Sequence, residues 1–323
     1  MKPPSYPIGG FKPPFLVFCF LLFFGAGRSA AETVWIDTDI SIGSPLREVD
    51  DAFALLLAFH SANLKIAGIS TSYGNAPLAA TTSAAHAFVS KLEPRRAIYP
   101  GAESRNDLER ETEASRALAE ALREKRSLTY VALGPLTNLA SFQLRHPDLA
   151  RRITRVIFLG GTTPATTLRF GSRHPIRIHD ANVVKDPAAV AQALRSGIPI
   201  TLVSIETAAL LQVTAADLDA MRAHPAGDFI QKKSRFWLWF WTKFVGTEGA
   251  PIFDAAAILA VAAPDFLAVR TRVAAVDAVG NLTVGSPSRS GGREVSFVVR
   301  MSNRAKAANW IRHRLHSSAR RVP

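Results

Sequence analysis

Four aspartates, Asp37, Asp39, Asp50 and Asp51, stand between an apolar strand-like run and an apolar helix-like one in WIDTDISIGSPLREVDDAFALLL, residues 35–57. Carboxylates gathered at one point repel, so either some take up protons or a cation neutralises them. A plainer role is helix capping, since an aspartate at a helix start accepts free backbone N–H groups and suits the helix dipole. Capping accounts for one aspartate well, a second passably and four poorly. Asp254, in APIFDAAAILAVAAP, heads another strongly apolar helical run and again allows either role. Oxygen-only donors select a hard cation, with Ca²⁺ first and Mg²⁺ second where several carboxylates and backbone carbonyls are on offer. Zinc has little support, because there is no H-E-x-x-H and the only cysteine, Cys19, lies in the N-terminal segment.

Strand-like runs that alternate with helical ones would position these groups. TVWIDTDI precedes VDDAFALLLAFHSA, LKIAGISTSYG precedes APLAATTSAAHAFVSKL, and SLTYVALG precedes LTNLASFQLRH. RVIFLGG then runs into a loop, and IPITLVSI leads to TAADLDAMRAH. This alternation predicts an α/β fold with a mostly parallel sheet and helices on both faces. Ligands of such sheets bind beyond the carboxyl ends of the strands, where these aspartates fall. In a strand TVWID, alternation sends Asp37 and Asp39 to the same face. The stretch 217–263 reads as a helical elaboration. Its RFWLWFW run could stack on a flat ligand ring, but an aromatic helix face packed into the core is the stronger expectation. SRSGGRE reads as a hairpin or mobile turn, and the basic tail as a solvated terminal helix.

With 323 residues, 48% of them hydrophobic and 20% charged, the chain can bury a large core, so most of it is expected to be ordered. No internal repeat or long linker divides it, which predicts a single domain over 32–323. Residues 1–31 differ: Lys2 and Lys12 precede FLVFCFLLFFGAG, and RSAAE then offers small residues for cleavage. This pattern predicts a secretory signal peptide, with an uncleaved membrane anchor as the alternative. A periplasmic or secreted protein without stable membrane association after cleavage follows, as does a mature chain with no thiol. The net charge of +13 falls to +10 without Lys2, Lys12 and Arg28. No nucleic-acid-binding motif accompanies that charge, so no nucleic-acid partner is expected.

The ordered series IDTD, DDAFALLLA, STSYGN, VALGPLTNLA, RVIFLGG, DANVVKDPAAV and FDAAAILAVAAP resembles the inosine–uridine preferring nucleoside hydrolases over nearly all of residues 32–323. The resemblance implies a Rossmann-like nucleoside hydrolase fold, a tightly held Ca²⁺ and hydrolysis of the N-glycosidic bond of ribonucleosides to ribose and free base. It also implies a homodimer or homotetramer. Carried over by position, it assigns the calcium ligands to Asp39, Asp51, Asp254 and the backbone carbonyl of Leu133. Asp39 is also the implied general base, and Asp50, Asn75, Asp180 and Asn182 the implied ribose-binding residues. Asp37 is implied to orient the loop from behind.

Several positions depart from the family's pattern. The loop between Asp39 and Asp50, ISIGSPLREV, is much longer than in the compact motif and must fold back, which Gly43 and Pro45 make feasible. Asp180 stands where glutamate is usual, His174 where a ribose-binding asparagine is expected, and Phe253 where many members carry a histidine that protonates the departing base. The usual histidine-containing loop after the second strand–helix unit is also absent from YPGAESRNDLERE, which leaves Trp237, Trp239 and Trp241 as candidates for stacking on a base. A non-catalytic calcium-dependent riboside-binding protein of the same fold is therefore the alternative. A phosphoryl-transfer enzyme with Mg²⁺ at the Asp-x-Asp lacks the expected downstream lysine and phosphate loop, and a serine hydrolase lacks its Gly-x-Ser-x-Gly elbow.

Overall fold

Alternate residues of the first strand enter different cores: Val34 and Ile36 one, Trp35 the other. A strand buried on both faces belongs in the middle of a covered parallel sheet, and that is its place. The computed structural model describes residues 31–44, 46–162, 168–285 and 292–317. Its strands in chain order are β1 (Glu32–Thr38), β2 (Leu64–Thr71), β3 (Tyr99–Pro100), β4 (Leu128–Ala132), β5 (Ile153–Leu159), β6 (Leu168–Phe170) and β7 (Ile176–Ile178). They continue with β8 (Ile200–Val203), β9 (Gln212–Val213), β10 (Ala250–Pro251), β11 (Leu267–Val276), β12 (Leu282–Gly285) and β13 (Arg293–Met301). Nine form the main sheet in the order β12-β11-β13-β8-β5-β4-β1-β2-β3, while β6 pairs with β7 and β9 with β10. Among the described strands of this sheet, β11 alone runs opposite to the rest. The α/β architecture expected from the alternation is therefore the one that forms.

From β1 the chain moves outward to β2 and β3, then returns to β4 on the other side of β1. The strand order thus reverses between β1 and β4, where such sheets open a crevice at their carboxyl ends. Two helices aim their N-termini at that region, Asp50–Phe59 and Ala255–Ala262. Residues 52–58 and 255–262 are all buried, as a helix apolar on every side must be, and the two helices pack on each other.

Three expectations need correction. The terminal helix Arg304–His316 is docked rather than merely solvated: Ala307, Ile311 and Leu315, spaced by four, form a buried stripe, and the helix packs on Asp50–Phe59. The strands beside SRSGGRE lie on opposite sides of β11 and do not pair with each other; residues 286–291 themselves lie outside the described residues. The elaboration over 217–263 is not wholly helical, since it contains β10. Its long helix, Pro225–Trp239, runs into a π-helical segment, Phe240–Val245, that stops at Gly246 with φ +86°. The proposed signal peptide and its cleavage site fall almost wholly outside the described residues. Among the described residues no helix is long and apolar enough to cross a membrane.

Candidate active site

Asp50 and Asp51 occupy the first turn of their helix, which Val49 starts without any side-chain cap, and Asp254 precedes Ala255–Ala262 without making a cap bond either. Capping therefore does not explain these carboxylates. All three are buried, and one oxygen of each lies within 4.8 Å of one of the others'. Asp51 also accepts the Thr38 hydroxyl at the end of β1. Asp39, one residue past that end, accepts the Asn75 backbone N–H at 2.7 Å. The Asn75 amide then spans the two aspartates, with Nδ2 at 3.5 Å from Asp39 Oδ1 and 3.4 Å from Asp51 Oδ2. Gly74 is required by this approach, because a Cβ there would lie 1.8 Å from Asp39 Oδ2.

Asp37 lies behind the cluster, buried, where it accepts Ser70 Oγ at 2.6 Å and Asn138 Nδ2 at 2.8 Å. Its backbone carbonyl accepts the Leu133 N–H at 2.9 Å, which ties β1 to the segment that follows β4. The Leu133 carbonyl in turn accepts Asn182 Nδ2 at 2.7 Å. The next residue, Gly134, packs on Asp39, since a Cβ there would come within 3.0 Å of its Cγ. Loops after β1, β2, β4 and β5 thus converge at the strand-order reversal. The long loop after Asp39 folds back as its length requires, with Ile40 and Ile42 buried, Gly43 at φ +89° and Ser41 Oγ donating to the Glu48 carbonyl at 2.7 Å.

So much buried negative charge must be neutralised. Burial raises Asp39, Asp50, Asp51 and Asp254 above the usual carboxylate range, and mutual repulsion adds to the rise for the last three. Asp51 is pushed up to about 7 and Asp37, chiefly by burial, to about 6. An all-oxygen set that repels itself fits a hard divalent cation, which would replace the protons. Without metal, the folded chain keeps protons on these groups that the unfolded chain releases near the ordinary 3.8. Stability contributed by those protons is therefore lost as pH rises from about 4, through about 6 for Asp37 and about 7 for Asp51. A bound cation reverses the trend. The rise in Tm on adding Ca²⁺ is expected to be large at pH 8 and to vanish near pH 5; an equal rise at both pH values would show that the ion does not displace protons.

A cavity of about 440 Å³ opens over the cluster, lined by Asp50, Asn75, Leu133, Asp180, Asn182 and Asp254, with Phe240, Trp241 and Phe253 on its apolar wall. That volume suits a small-molecule ligand. Asp180 is partly spent on structure: it caps helix Ala181–Lys185 through the Val183 N–H at 3.2 Å and accepts the Gly161 N–H at 2.5 Å. Burial pushes it up to about 6. His174 lies elsewhere, stacked on Phe244 with its Nδ1 2.8 Å from the Phe244 carbonyl oxygen. The aromatic run divides by helix phase. Trp237 and Trp241 are buried and Trp241 reaches the cavity, whereas Phe236 and Trp239 stack on each other half exposed.

The family model described as inosine-uridine preferring nucleoside hydrolase matches residues 34–312. The chain belongs to this family. Among curated relatives, the pyrimidine-specific ribonucleoside hydrolase RihA of Klebsiella pneumoniae is 28% identical over 176 residues, 52% of this chain and 53% of the relative. The corresponding protein of Salmonella typhimurium is also 28% identical over the same shares. The chain thus spans about half the length of the curated relatives it matches. Among solved structures, the plant nucleoside hydrolase PpNRh1 superposes with a TM-score of 0.74 at 22% identity, covering 89% of this chain and 100% of that one. The purine-preferring ribonucleoside hydrolase from Gardnerella vaginalis gives 0.70 at 18%, covering 88% and 98%. Both share the fold.

In this nucleoside hydrolase family member, carboxylate oxygens of Asp50, Asp51 and Asp254 meet within 4.8 Å, whereas Asp39 accepts the Asn75 N–H and faces Lys185. Sequence reasoning missed Lys185 and Glu48. Lys185 stands three residues after Asn182, so its spacing on a short helix was the available signal. Glu48 lines the cavity and accepts Trp237 Nε1 at 2.6 Å. No local pattern marks it, because its place depends on how the long loop folds.

Proposed function

We propose that the chain hydrolyses the N-glycosidic bond of ribonucleosides, giving ribose and free base, with Ca²⁺ at the acidic cluster. The observation that carries this reading is the buried Asp50–Asp51–Asp254 cluster beneath an aromatic-walled cavity. Cleaving the bond builds positive charge on the sugar ring, and surrounding carboxylates stabilise that state more than the neutral substrate. When bound, the cation would anchor sugar hydroxyls and acidify a water at neutral pH.

Asp39 takes the proton from the attacking water; its carboxylate is held by the Asn75 N–H and faces Lys185. The water oxygen bonds to the anomeric carbon, the base departs with the electron pair of the C–N bond and takes up a proton from solvent, and Asp39 then releases its own proton to solvent. Asp50, Asn75, Asp180 and Asn182 hold the ribose hydroxyls. Phe240, Trp241 and Phe253 offer ring faces and edges to a base, which supports ribonucleosides as the substrate class. Pyrimidine specificity and purine preference are properties named for the relatives and for a structural neighbour respectively.

The apolar ring of Phe253 in the wall favours one second reading, a binder of ribosides without turnover. A panel of purine and pyrimidine ribonucleosides, assayed for reducing sugar in the presence of Ca²⁺, separates the two. Sugar release from at least one supports hydrolysis. Calorimetric binding of a riboside with no release from any overturns hydrolysis in favour of the binder.

A further inference from the structure

Lys185 ends the helix Ala181–Lys185, on which Asn182 also sits, and its backbone is fixed from two sides. The Tyr73 hydroxyl donates to its carbonyl at 3.4 Å. The adjacent Asp186 accepts the Thr137 hydroxyl at 2.6 Å and caps the following helix through the Ala189 N–H at 2.9 Å. So anchored, the side chain brings its ammonium to 3.5 Å from both Asp39 Oδ2 and Asn75 Oδ1. The side chain is 24% exposed and its partner Asp39 1%. Among the described ion pairs, no other basic side chain reaches Asp39, Asp50, Asp51 or Asp254.

We propose that Lys185 is a resident counter-ion of the acidic centre: paired with Asp39 beside the carboxylate cluster, it holds metal affinity below what the carboxylates alone would give. The inference rests on the metal reading above. The argument is one of charge. A fixed positive group beside the ligand set stabilises the cluster when no ion is there and repels an ion that arrives, and the repulsion grows with the ion's charge. A residue that served only to pin the helix end would act in the opposite sense, because removing it would loosen Asp39 and Asn75 and weaken metal binding.

Calorimetric titration of the full chain with Ca²⁺ and with Tb³⁺, at low and high ionic strength, tests this. Lys185→Met, which keeps the length without the charge, is expected to bind Ca²⁺ about tenfold more tightly and to gain more for Tb³⁺. Both gains should shrink as salt is raised. Lys185→Arg should retain the parental affinity. Lys185→Gln gives a second neutral variant, and circular dichroism melts establish that each variant is folded. Equal or weaker Ca²⁺ binding by folded neutral variants, with the parent binding normally, overturns the inference and leaves the metal reading standing. Binding by neither parent nor variants overturns the metal reading and this inference with it.

Discussion

Replacing Asp39 with Asn is expected to cut kcat on an accepted ribonucleoside by about a thousandfold or more, within the range for loss of a positioned general base. The amide has the size of the carboxylate, and its oxygen can still accept the Asn75 N–H that Asp39 accepts at 2.7 Å. What it cannot do is take a proton from water at neutral pH or balance the ammonium of Lys185. Because Asp39 is fully enclosed and Gly74 and Gly134 pack on it, a residue of different volume would disturb two loops; asparagine avoids that confusion. Single-turnover kinetics at saturating substrate, with metal content measured in parallel, read the effect. Near-normal kcat with metal present would remove Asp39 as the base.

Asp254→Ala is expected to lower Ca²⁺ affinity by more than about 100-fold, since loss even of outer-shell support costs metal sites 10–100-fold. The substitution should leave the helix Ala255–Ala262 intact, because Asp254 makes no cap bond there and alanine suits the buried surroundings. It also relieves repulsion with Asp50 and Asp51, which together with burial raises the Asp254 pKa well above normal. The metal-free variant should therefore melt at or above the metal-free parent, while Ca²⁺ stabilises the parent alone. Elemental analysis after dialysis against Ca²⁺ checks the ligand role directly, and an unchanged calcium content would refute it.

Much of the layer structure could be read locally. The unbroken apolar run Val34, Trp35 and Ile36 suits a strand covered on both sides, and the runs after Asp51 and Asp254 are apolar on every face, which only a buried helix satisfies. The tail misled because its basic residues dominate its composition, while the stripe of Ala307, Ile311 and Leu315 that docks it is narrow. The aromatic run packs Trp237 and Trp241 into the core as expected, but which of its rings stay outside could not be read locally. Trp237 and Trp239 lie on the helix Pro225–Trp239 and Trp241 on the π-helical segment that continues it; successive helical residues turn by about 100°, so helix phase and the π-helical segment determine which rings meet the cavity.

The amino-acid order by itself determined the alternating layers, the family resemblance and the set of acidic and amide side chains at strand and helix ends. Those follow from periodicities of two and 3.6 residues and from short motifs, all of which act within a few positions. The resemblance already implied that Asp51 meets Asp254; only the tertiary structure decided that Asp50 joins them, that Lys185 faces Asp39, and that His174 stays outside the cavity. Such pairings depend on strand order, helix phase and loop closure, which are properties of the packed whole and leave no mark in any local stretch.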